Sequence, residues 1–263
     1  MSGRVPVVPN RELGQHFLVD ENIVEVTGRL AALAPDDVVL EVGAGLGGLT
    51  AYLADRVRLV HALEVDRGLE PHLRERLGAR ANVELVFADA VAFPLGALEP
   101  PPTKLVANLP YQVATPLVAE SLDGLPSVGL WCVMVQREVA DRFFARPRTK
   151  SYGAVSVLVQ LTAERIGTHA VARTCFFPPP NVDSALVAFR RTRAWGEEFE
   201  AIKRVVQAAF GHRRKTLANS LELAGVAERA RAAAALEALG HSPGARAEAL
   251  TPDEFERLGR LLG

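Results

Sequence analysis

A short segment in the middle of the chain joins an amide, a proline and an aromatic ring. Residues 105–107 are apolar and predict the end of a buried strand, and Asn108-Leu109-Pro110-Tyr111 follow directly. Pro110 favours an extended Leu109 and has no N–H of its own. The side-chain oxygen of Asn108 and the main-chain carbonyl of Leu109 can therefore face one point, where they would accept both hydrogens of an aromatic amine.

Two acceptors placed in this way predict transfer of a methyl group to an exocyclic amine. The lone pair of such a nitrogen is delocalised into its ring, and holding both N–H bonds out of the ring plane makes it available to an electrophile. Tyr111 adds a flat face on which an extruded base could stack. A strand-ending turn with a capping Asn and a packed Tyr is the structural alternative for these four residues by themselves.

A glycine-rich segment follows the first predicted strand. Gly43, Gly45 and Gly48 come directly after the apolar residues 38–42. Because glycine has no side chain, such a loop lets backbone amides approach a ligand closely. The spacing serves a dinucleotide as well as a methyl donor, so an NAD-type reductase stays open on this signal alone.

Carboxylates lie at the ends of the neighbouring predicted strands. Glu64 ends the second strand, where it could accept hydrogen bonds from ribose hydroxyls, and Asp89 follows the third, where it could accept from an adenine amine. Glu41 precedes the glycines, a further feature of methyl-donor loops. The sequence near the loop has no Lys or Arg suited to a pyrophosphate, which favours S-adenosylmethionine over a dinucleotide.

The elements that must position these residues are predicted to form a parallel α/β sheet. Short apolar runs alternate with longer amphipathic stretches, and the last two runs are predicted to pair antiparallel at the sheet edge. Because parallel strands end at one edge, the glycine loop, Glu64, Asp89 and Asn108 should meet there. The predicted strands are residues 38–42, 59–65, 83–87, 105–107, 130–135, 155–161 and 185–189.

The pattern changes to helices after residue 196, and basic residues gather in this part of the chain. From Leu186 onward there are 13 Lys and Arg against 10 Asp and Glu, although the whole chain has a net charge of −1. Such basic clusters suit nucleic-acid phosphates, and a solvated helix face is the alternative. The predicted helices are residues 197–210, 214–223, 228–239 and 252–262.

Composition indicates an ordinary soluble globular protein. The chain has 263 residues, 49% hydrophobic and 23% charged, with no apolar run long enough for a membrane span and no signal-peptide pattern. We therefore expect a cytoplasmic protein without a membrane partner. Cys132 and Cys175 lack metal-ligand or redox spacing, and we expect no metal.

The chain resembles the ribosomal RNA adenine dimethyltransferases of the small-subunit type, the KsgA family. The resemblance extends through nearly the whole chain. It is carried by "LGQHFLVD" (13–20), "EVGAGLGGLT", "LEVD", "ADA", "NLPY", "VQREVADR" (135–142), "SYGAVSVLVQ", "FFPPPNVDSALV" and "FGHRRKTLANSL" (210–221).

The resemblance implies a fold, an activity and a set of site residues. The fold class is α/β, a Rossmann-like class I methyltransferase sheet of seven strands with a small C-terminal all-α domain. The implied domains are a methyltransferase domain over residues 1–195 and a helical RNA-binding domain over residues 196–263. Catalytic residues would be Asn108, Leu109, Pro110, Tyr111 and Phe176; donor contacts Gln15, His16, Phe17, Leu18, Gly43, Gly45, Glu64, Asp89, Ala90 and Asn108; RNA contacts Arg137, Arg142, Arg213, Arg214 and Lys215.

The implied reaction is N6,N6-dimethylation of two adjacent adenosines in a loop near the 3′ end of 16S rRNA. S-adenosylmethionine would be the donor, and the small (30S) ribosomal subunit would be the partner of a monomeric enzyme. Two positions depart from the family pattern, since His16 stands where most bacterial members have Asn and Asn181 where Lys is usual.

Three alternatives stay open. A 23S rRNA adenine methyltransferase of the antibiotic-resistance type shares the glycine loop and an Asn-x-Pro-Tyr element, although Leu109 and residues 212–221 favour the small-subunit branch. A DNA adenine methyltransferase usually has Pro in the second position of this tetrad and lacks the helical tail. A non-catalytic ribosome-assembly factor would not need all of Asn108, Tyr111, Glu64 and Asp89.

Overall fold

A seven-stranded mixed sheet forms the centre of the protein. The computed structural model describes residues 7–10, 13–212 and 214–263. The sheet has the order β4-β3-β2-β5-β6-β9-β7, parallel from β4 to β6 and antiparallel between β6 and β9. The predicted α/β class with an antiparallel end is therefore confirmed. These strands are β2 (Val38–Val42), β3 (Leu59–Glu64), β4 (Val83–Phe87), β5 (Lys104–Asn108), β6 (Leu130–Gln136), β7 (Ala163–Val171) and β9 (Ser184–Arg191).

A second, two-stranded sheet joins distant parts of the chain. Strand β1 (Phe17–Leu18) pairs antiparallel with β8 (Phe176–Phe177), with Phe17 opposite Phe177 and Leu18 opposite Phe176. Neither strand is signalled by a periodic pattern, because each contains two residues.

Ten helices are present in the described part of the chain. The last one begins as its sequence indicates, since the Thr251 side chain accepts from the Glu254 N–H and Glu254 returns a bond to the Thr251 N–H. No described helix combines the length and apolar character that a bilayer span requires. The helices are α1 (Glu21–Leu30), α2 (Gly48–Ala54), α3 (Glu70–Leu77), α4 (Ala114–Gly124), α5 (Arg137–Phe143), α6 (Ala154–Thr162), α7 (Glu198–Gly211), α8 (Leu217–Leu223), α9 (Arg229–Ala238) and α10 (Pro252–Leu262).

One predicted strand is wrong. Residues 155–161 lie in helix α6, and the strand at the sheet edge is β7 instead. Seven of the nine α6 residues are buried, so the helix is apolar on nearly all sides and its sequence cannot be told from a buried strand. Strand β7 was missed for the opposite reason, because residues 164–170 in its middle are mostly exposed and show no alternation of apolar and polar side chains.

The chain divides into two compact units. The first extends up to Ala140 and includes Arg165–Arg190, and the second consists of Asp141–Glu164 and Arg191–Gly263. The sequence predicts a change at residue 195, whereas the structure groups residues 141–164 with the C-terminal helices, because α6 contacts α7 and α10. The assignment of methyl transfer to residues 1–195 and of RNA binding to residues 196–263 stays a prediction.

Strand order explains how the first unit positions its polar residues. Strand β2 lies between β3 and β5, and all five of its residues are buried. The carboxyl ends of these three strands lead to Gly43, Glu64 and Asn108 respectively. Since the strands run parallel, these residues reach the same edge of the sheet.

Candidate active site

A cavity lies at the carboxyl edge of the sheet in the first unit, and we call it the edge cavity. Its wall combines the glycine loop, the ends of β3 and β5, and residues 13–18. The structure brings most of the predicted site residues together here. These are Gln15, His16, Phe17, Leu18, Gly43, Gly45, Glu64, Asn108, Leu109, Pro110, Tyr111 and Phe176.

Two predicted donor contacts lie outside the edge cavity. Asp89 is exposed and its Oδ1 accepts a 2.9 Å hydrogen bond from the Val91 N–H, so its side chain closes a local turn. Ala90 is buried and lines a separate depression beside α4. Their contact with a donor stays a prediction.

The glycines permit a close approach of loops. Gly43 and Gly45 have φ of +83° and +55°, which other residues adopt at a cost. A Cβ at Gly43 would lie 3.5 Å from the carbonyl oxygen of Asn108 and from Pro110 Cδ, and one at Gly45 would lie 3.3 Å from Phe17 Cδ1. The glycine loop, the 108–111 segment and the N-terminal segment therefore meet at van der Waals distance.

Glu64 fixes the glycine loop to the next strand. Its Oε2 accepts from the Gly45 N–H at 2.8 Å and its Oε1 from the Asp66 N–H at 2.9 Å. Burial raises the pKa of Glu64, and the two backbone N–H bonds oppose that rise. Each carboxylate oxygen has a further lone pair, so Glu64 can still accept from a ligand hydroxyl.

Glu41 is an acidic residue that the sequence indicates only as a feature of methyl-donor loops, whereas the structure places it in the wall of the edge cavity. It lines the edge cavity with 1% of its surface exposed, and its Oε2 has no hydrogen-bond partner among the described residues. Burial raises the pKa of Glu41 to about 8; the Glu64 charge adds to the rise and the Thr50 hydroxyl opposes it. Its position before the first glycine was the available signal, but the lack of a partner depends on the fold.

Residues 15–18 cover the edge cavity, and we call them the N-terminal strap. The strap is held by the β1–β8 pairing, by a 2.7 Å bond between His16 Nδ1 and the Pro178 carbonyl oxygen, and by a 2.7 Å bond from Gln15 Nε2 to Asp66 Oδ2. Because the carbonyl can only accept, the His16 bond requires a proton on Nδ1. The side chains of His16 and Gln15 therefore hold the strap in place.

The Asn108 amide is oriented by the strap. Its Nδ2 donates to the His16 carbonyl oxygen at 3.3 Å, which leaves Oδ1 as the acceptor on the other side of the amide. Leu109 is buried, and its N–H donates to the Met134 carbonyl oxygen at 3.0 Å on the neighbouring strand β6. Both residues of the predicted acceptor pair are thus anchored from outside the tetrapeptide.

Tyr111 is held at its hydroxyl end. Its oxygen lies 2.9 Å from Ser184 Oγ, and Ser184 is fully buried at the start of β9. The Tyr111 ring is half-buried and lies 5.9 Å from the His16 ring, centroid to centroid. Sequence reasoning gave no role to Ser184, because its contact with Tyr111 joins residues 73 positions apart.

Phe176 lines the edge cavity but is mostly enclosed by other residues. Only 3% of its surface is exposed and it belongs to the main hydrophobic cluster, whereas the adjacent Phe177 is 44% exposed. Stacking of Phe176 on a target base stays a prediction.

The predicted RNA contacts are spread over both units. Arg137 lines a shallow groove of the first unit with Arg173 and Asn181. Arg142 and the exposed Arg214 and Lys215 belong to the second unit. Arg213 lies outside the described residues.

A recess in the second unit combines two basic segments that are far apart in sequence. We call it the basic recess. Arg148 and Lys150 line it together with His212 and Lys215. Arg148 has a φ of +66°, an uncommon conformation for a residue other than glycine. The sequence indicated each segment as basic, but their convergence is set by the fold.

Comparison with known proteins identifies the family. A family model described as "Ribosomal RNA adenine dimethylase" matches residues 9–256. The chain belongs to the ribosomal RNA adenine dimethylase family. Two curated relatives are named "Ribosomal RNA small subunit methyltransferase A". The protein from Rubrobacter xylanophilus is 48% identical, covering 100% of this chain and 98% of the relative. The one from Moorella thermoacetica is 43% identical, covering 97% and 93%.

Two solved structures extend the comparison. A dimethyladenosine transferase from Plasmodium falciparum aligns with a TM-score of 0.72 at 22% identity, over 92% of this chain and 96% of the other, and shows the fold. The 23S rRNA methyltransferase ErmE aligns with a TM-score of 0.64 at 32% identity, over 94% and 99%. The predicted resemblance and the methyltransferase class of this enzyme are therefore confirmed.

Proposed function

We propose that this enzyme dimethylates N6 of two adjacent adenosines in a loop near the 3′ end of 16S rRNA during small-subunit biogenesis. The observation that carries the proposal is the anchored Asn108. Its Oδ1 is left as an acceptor at the edge cavity, beside the Leu109–Tyr111 segment and opposite the glycine loop. A dimethylase of ribosomal RNA needs such an acceptor next to a methyl-donor site.

The edge cavity fits S-adenosylmethionine, which supplies an electrophilic methyl group when bound. Glu41 and Glu64 line it, and no Lys or Arg is present among its described lining residues. Two carboxyl groups without a basic residue suit a cationic nucleoside better than an anionic pyrophosphate. Glu64 would accept from the ribose, and Asp89 with Ala90 would approach the adenine.

The target adenine would be held by the 108–111 segment. Asn108 Oδ1 and the Leu109 carbonyl oxygen accept its two amine hydrogens, and Tyr111 and Phe176 provide faces for stacking. The attacking nitrogen becomes cationic and releases its proton to water, so no strong base and no metal are required. A monomethylated amine still offers one hydrogen to this pair, whereas a dimethylated amine offers none, which favours release.

Basic residues of both units would hold the RNA through its phosphates. The predicted contacts are Arg137, Arg142, Arg213, Arg214 and Lys215. The basic recess adds Arg148 and Lys150 beside Lys215, which supports a phosphate site in the second unit. Such contacts position the RNA without reading its sequence.

The small subunit is favoured over the large one by the degree of similarity. The relatives named as small-subunit methyltransferases are 48% and 43% identical to this chain, and the 23S rRNA methyltransferase ErmE is 32% identical. A purely non-catalytic assembly factor would not need Asn108, Tyr111 and Glu64 in one cavity. We further propose that the enzyme is a cytoplasmic monomer whose RNA partner is the 30S particle.

A methylation assay on ribosomal subunits tests the proposal. Small and large subunits that lack the modification are incubated separately with the purified protein and a donor labelled in its methyl group. Primer extension then maps the labelled adenines. We expect label at two adjacent adenines of 16S rRNA and much slower labelling with Asn108→Ala, whereas label confined to 23S rRNA would assign the enzyme to the resistance-type reaction.

A further inference from the structure

The Glu41 side chain is a buried acid that the proposed reaction does not use. It lines the edge cavity with 1% exposure, and its Oε2 lacks a hydrogen-bond partner among the described residues. The Thr50 hydroxyl, buried on α2, faces Glu41 and opposes the rise in its pKa, but Thr50 Oγ1 has no hydrogen-bond partner of good geometry among the described residues. An ionised carboxylate in such a place is unfavourable unless a cation or a hydrogen-bond donor compensates its charge.

Among the described residues, the groups that act on the charge of Glu41 are acidic or neutral. In the neighbouring strand β3, the residue paired with Glu41 is Ala62, and the acidic group of β3 that faces Glu41 is Glu64. From α2 it faces the neutral Thr50 hydroxyl. The other titratable side chains among the described residues lining the cavity are His16 and Tyr111, and His16 donates its Nδ1 proton to Pro178 rather than to an acid.

We propose that Glu41 carries a proton in the donor-free enzyme and releases it to solvent when a cationic donor enters the edge cavity. The inference rests on the proposed function, because it takes S-adenosylmethionine as the ligand. That molecule carries an ammonium, a sulfonium and a carboxylate, so its net charge is about +1. The carboxyl O–H bond of Glu41 breaks and the proton passes to solvent. The positive charge of the bound donor then compensates the Glu41 carboxylate.

Proton linkage gives the expected size of the effect. Burial raises the pKa of Glu41 to about 8 in the donor-free protein. If the bound form is ionised, donor binding should release most of one proton at pH 7 and much less at pH 9. Because rising pH ionises the group beforehand, the donor Kd should fall by about tenfold or more between pH 6 and pH 8.

Calorimetric titration in two buffers of different ionisation enthalpy measures this release directly. S-adenosylmethionine is titrated into the wild-type protein, Glu41→Gln and, as a control outside the edge cavity, Glu75→Gln at an exposed acid of α3, all at pH 7. We expect release from the wild type and from Glu75→Gln, and none from Glu41→Gln. Titration with S-adenosylhomocysteine, which keeps the ammonium but lacks the sulfonium, identifies the cation: equal release assigns the ammonium, and lost release assigns the sulfonium.

Infrared difference spectroscopy of the wild type provides a second readout that needs no variant. The C=O band of a protonated carboxyl should disappear on donor binding. Donor binding without proton release and without loss of this band would overturn the inference while leaving the proposed function intact. Failure of the donor to bind at all would instead contradict the proposed function.

Discussion

At the scale of single residues, Asn108 is the group that we propose holds the reacting amine. Its amide is oriented through Nδ2 by the His16 carbonyl oxygen, which leaves Oδ1 as the acceptor proposed for the substrate. We expect Asn108→Ala to lower kcat about 10²- to 10³-fold, because a preorganised acceptor at the reacting atom is removed. Single-turnover methylation and donor calorimetry measure the two effects separately. Equal losses in methyl transfer and in donor affinity would contradict this role.

The bond between Tyr111 and Ser184 is a second residue-scale feature with a measurable consequence. Tyr111→Phe and Ser184→Ala each remove a bond of 2.9 Å that fixes the Tyr111 ring, on which we propose that the target base stacks. We expect each variant to lower kcat/KM by about fivefold, equivalent to about 1 kcal/mol, and the double variant to lose little more. Ser220→Ala, at a buried serine of α8 whose Oγ has no hydrogen-bond partner among the described residues, is the control. Additive losses in the double variant would show that the two residues act independently.

At the scale of elements, the N-terminal strap is the part that sequence could least predict. The strand ends Gly43, Glu64 and Asn108 were expected at one edge because periodic apolar runs identify strands and parallel strands share an edge. The β1–β8 pairing joins residues about 160 positions apart through two-residue strands, for which no local pattern exists. The error at residues 155–161 has a related cause, since an apolar run reveals burial but not whether it is helical.

His16 holds the N-terminal strap in place through its bond to the Pro178 carbonyl oxygen. We expect His16→Ala to weaken donor binding about fivefold, because the bond to Pro178 is worth about 1 kcal/mol and the strap covers the edge cavity. His16→Asn should retain more affinity than His16→Ala, since an amide can still donate. Calorimetry with S-adenosylmethionine measures both, and His169→Ala on the exposed face of β7 is the control. Unchanged affinity in His16→Ala would remove the strap from the donor site.

At the scale of the whole molecule, charge distribution matters more than net charge. The chain is nearly neutral, at −1, yet in the second unit Arg148 and Lys150 line one recess together with His212 and Lys215. Composition revealed each basic segment separately. Their convergence depends on how residues 141–164 pack with the C-terminal helices, which no local pattern encodes. The basic recess therefore identifies residues for a test of RNA binding that the sequence alone does not indicate.

Salt dependence provides that test. If Lys150 and Lys215 each neutralise one RNA phosphate, the double variant Lys150→Ala with Lys215→Ala should reduce the slope of log affinity against log salt by about 1.4 to 1.8. Filter binding of the small-subunit RNA over a range of salt concentrations measures the slope. Arg257→Ala, which changes an exposed arginine on α10 outside the recess, should leave it unchanged. Because phosphate contacts do not read sequence, affinity for unrelated RNA should fall in parallel. A loss of affinity with an unaltered slope would mean that these lysines stabilise the unit rather than contact phosphates.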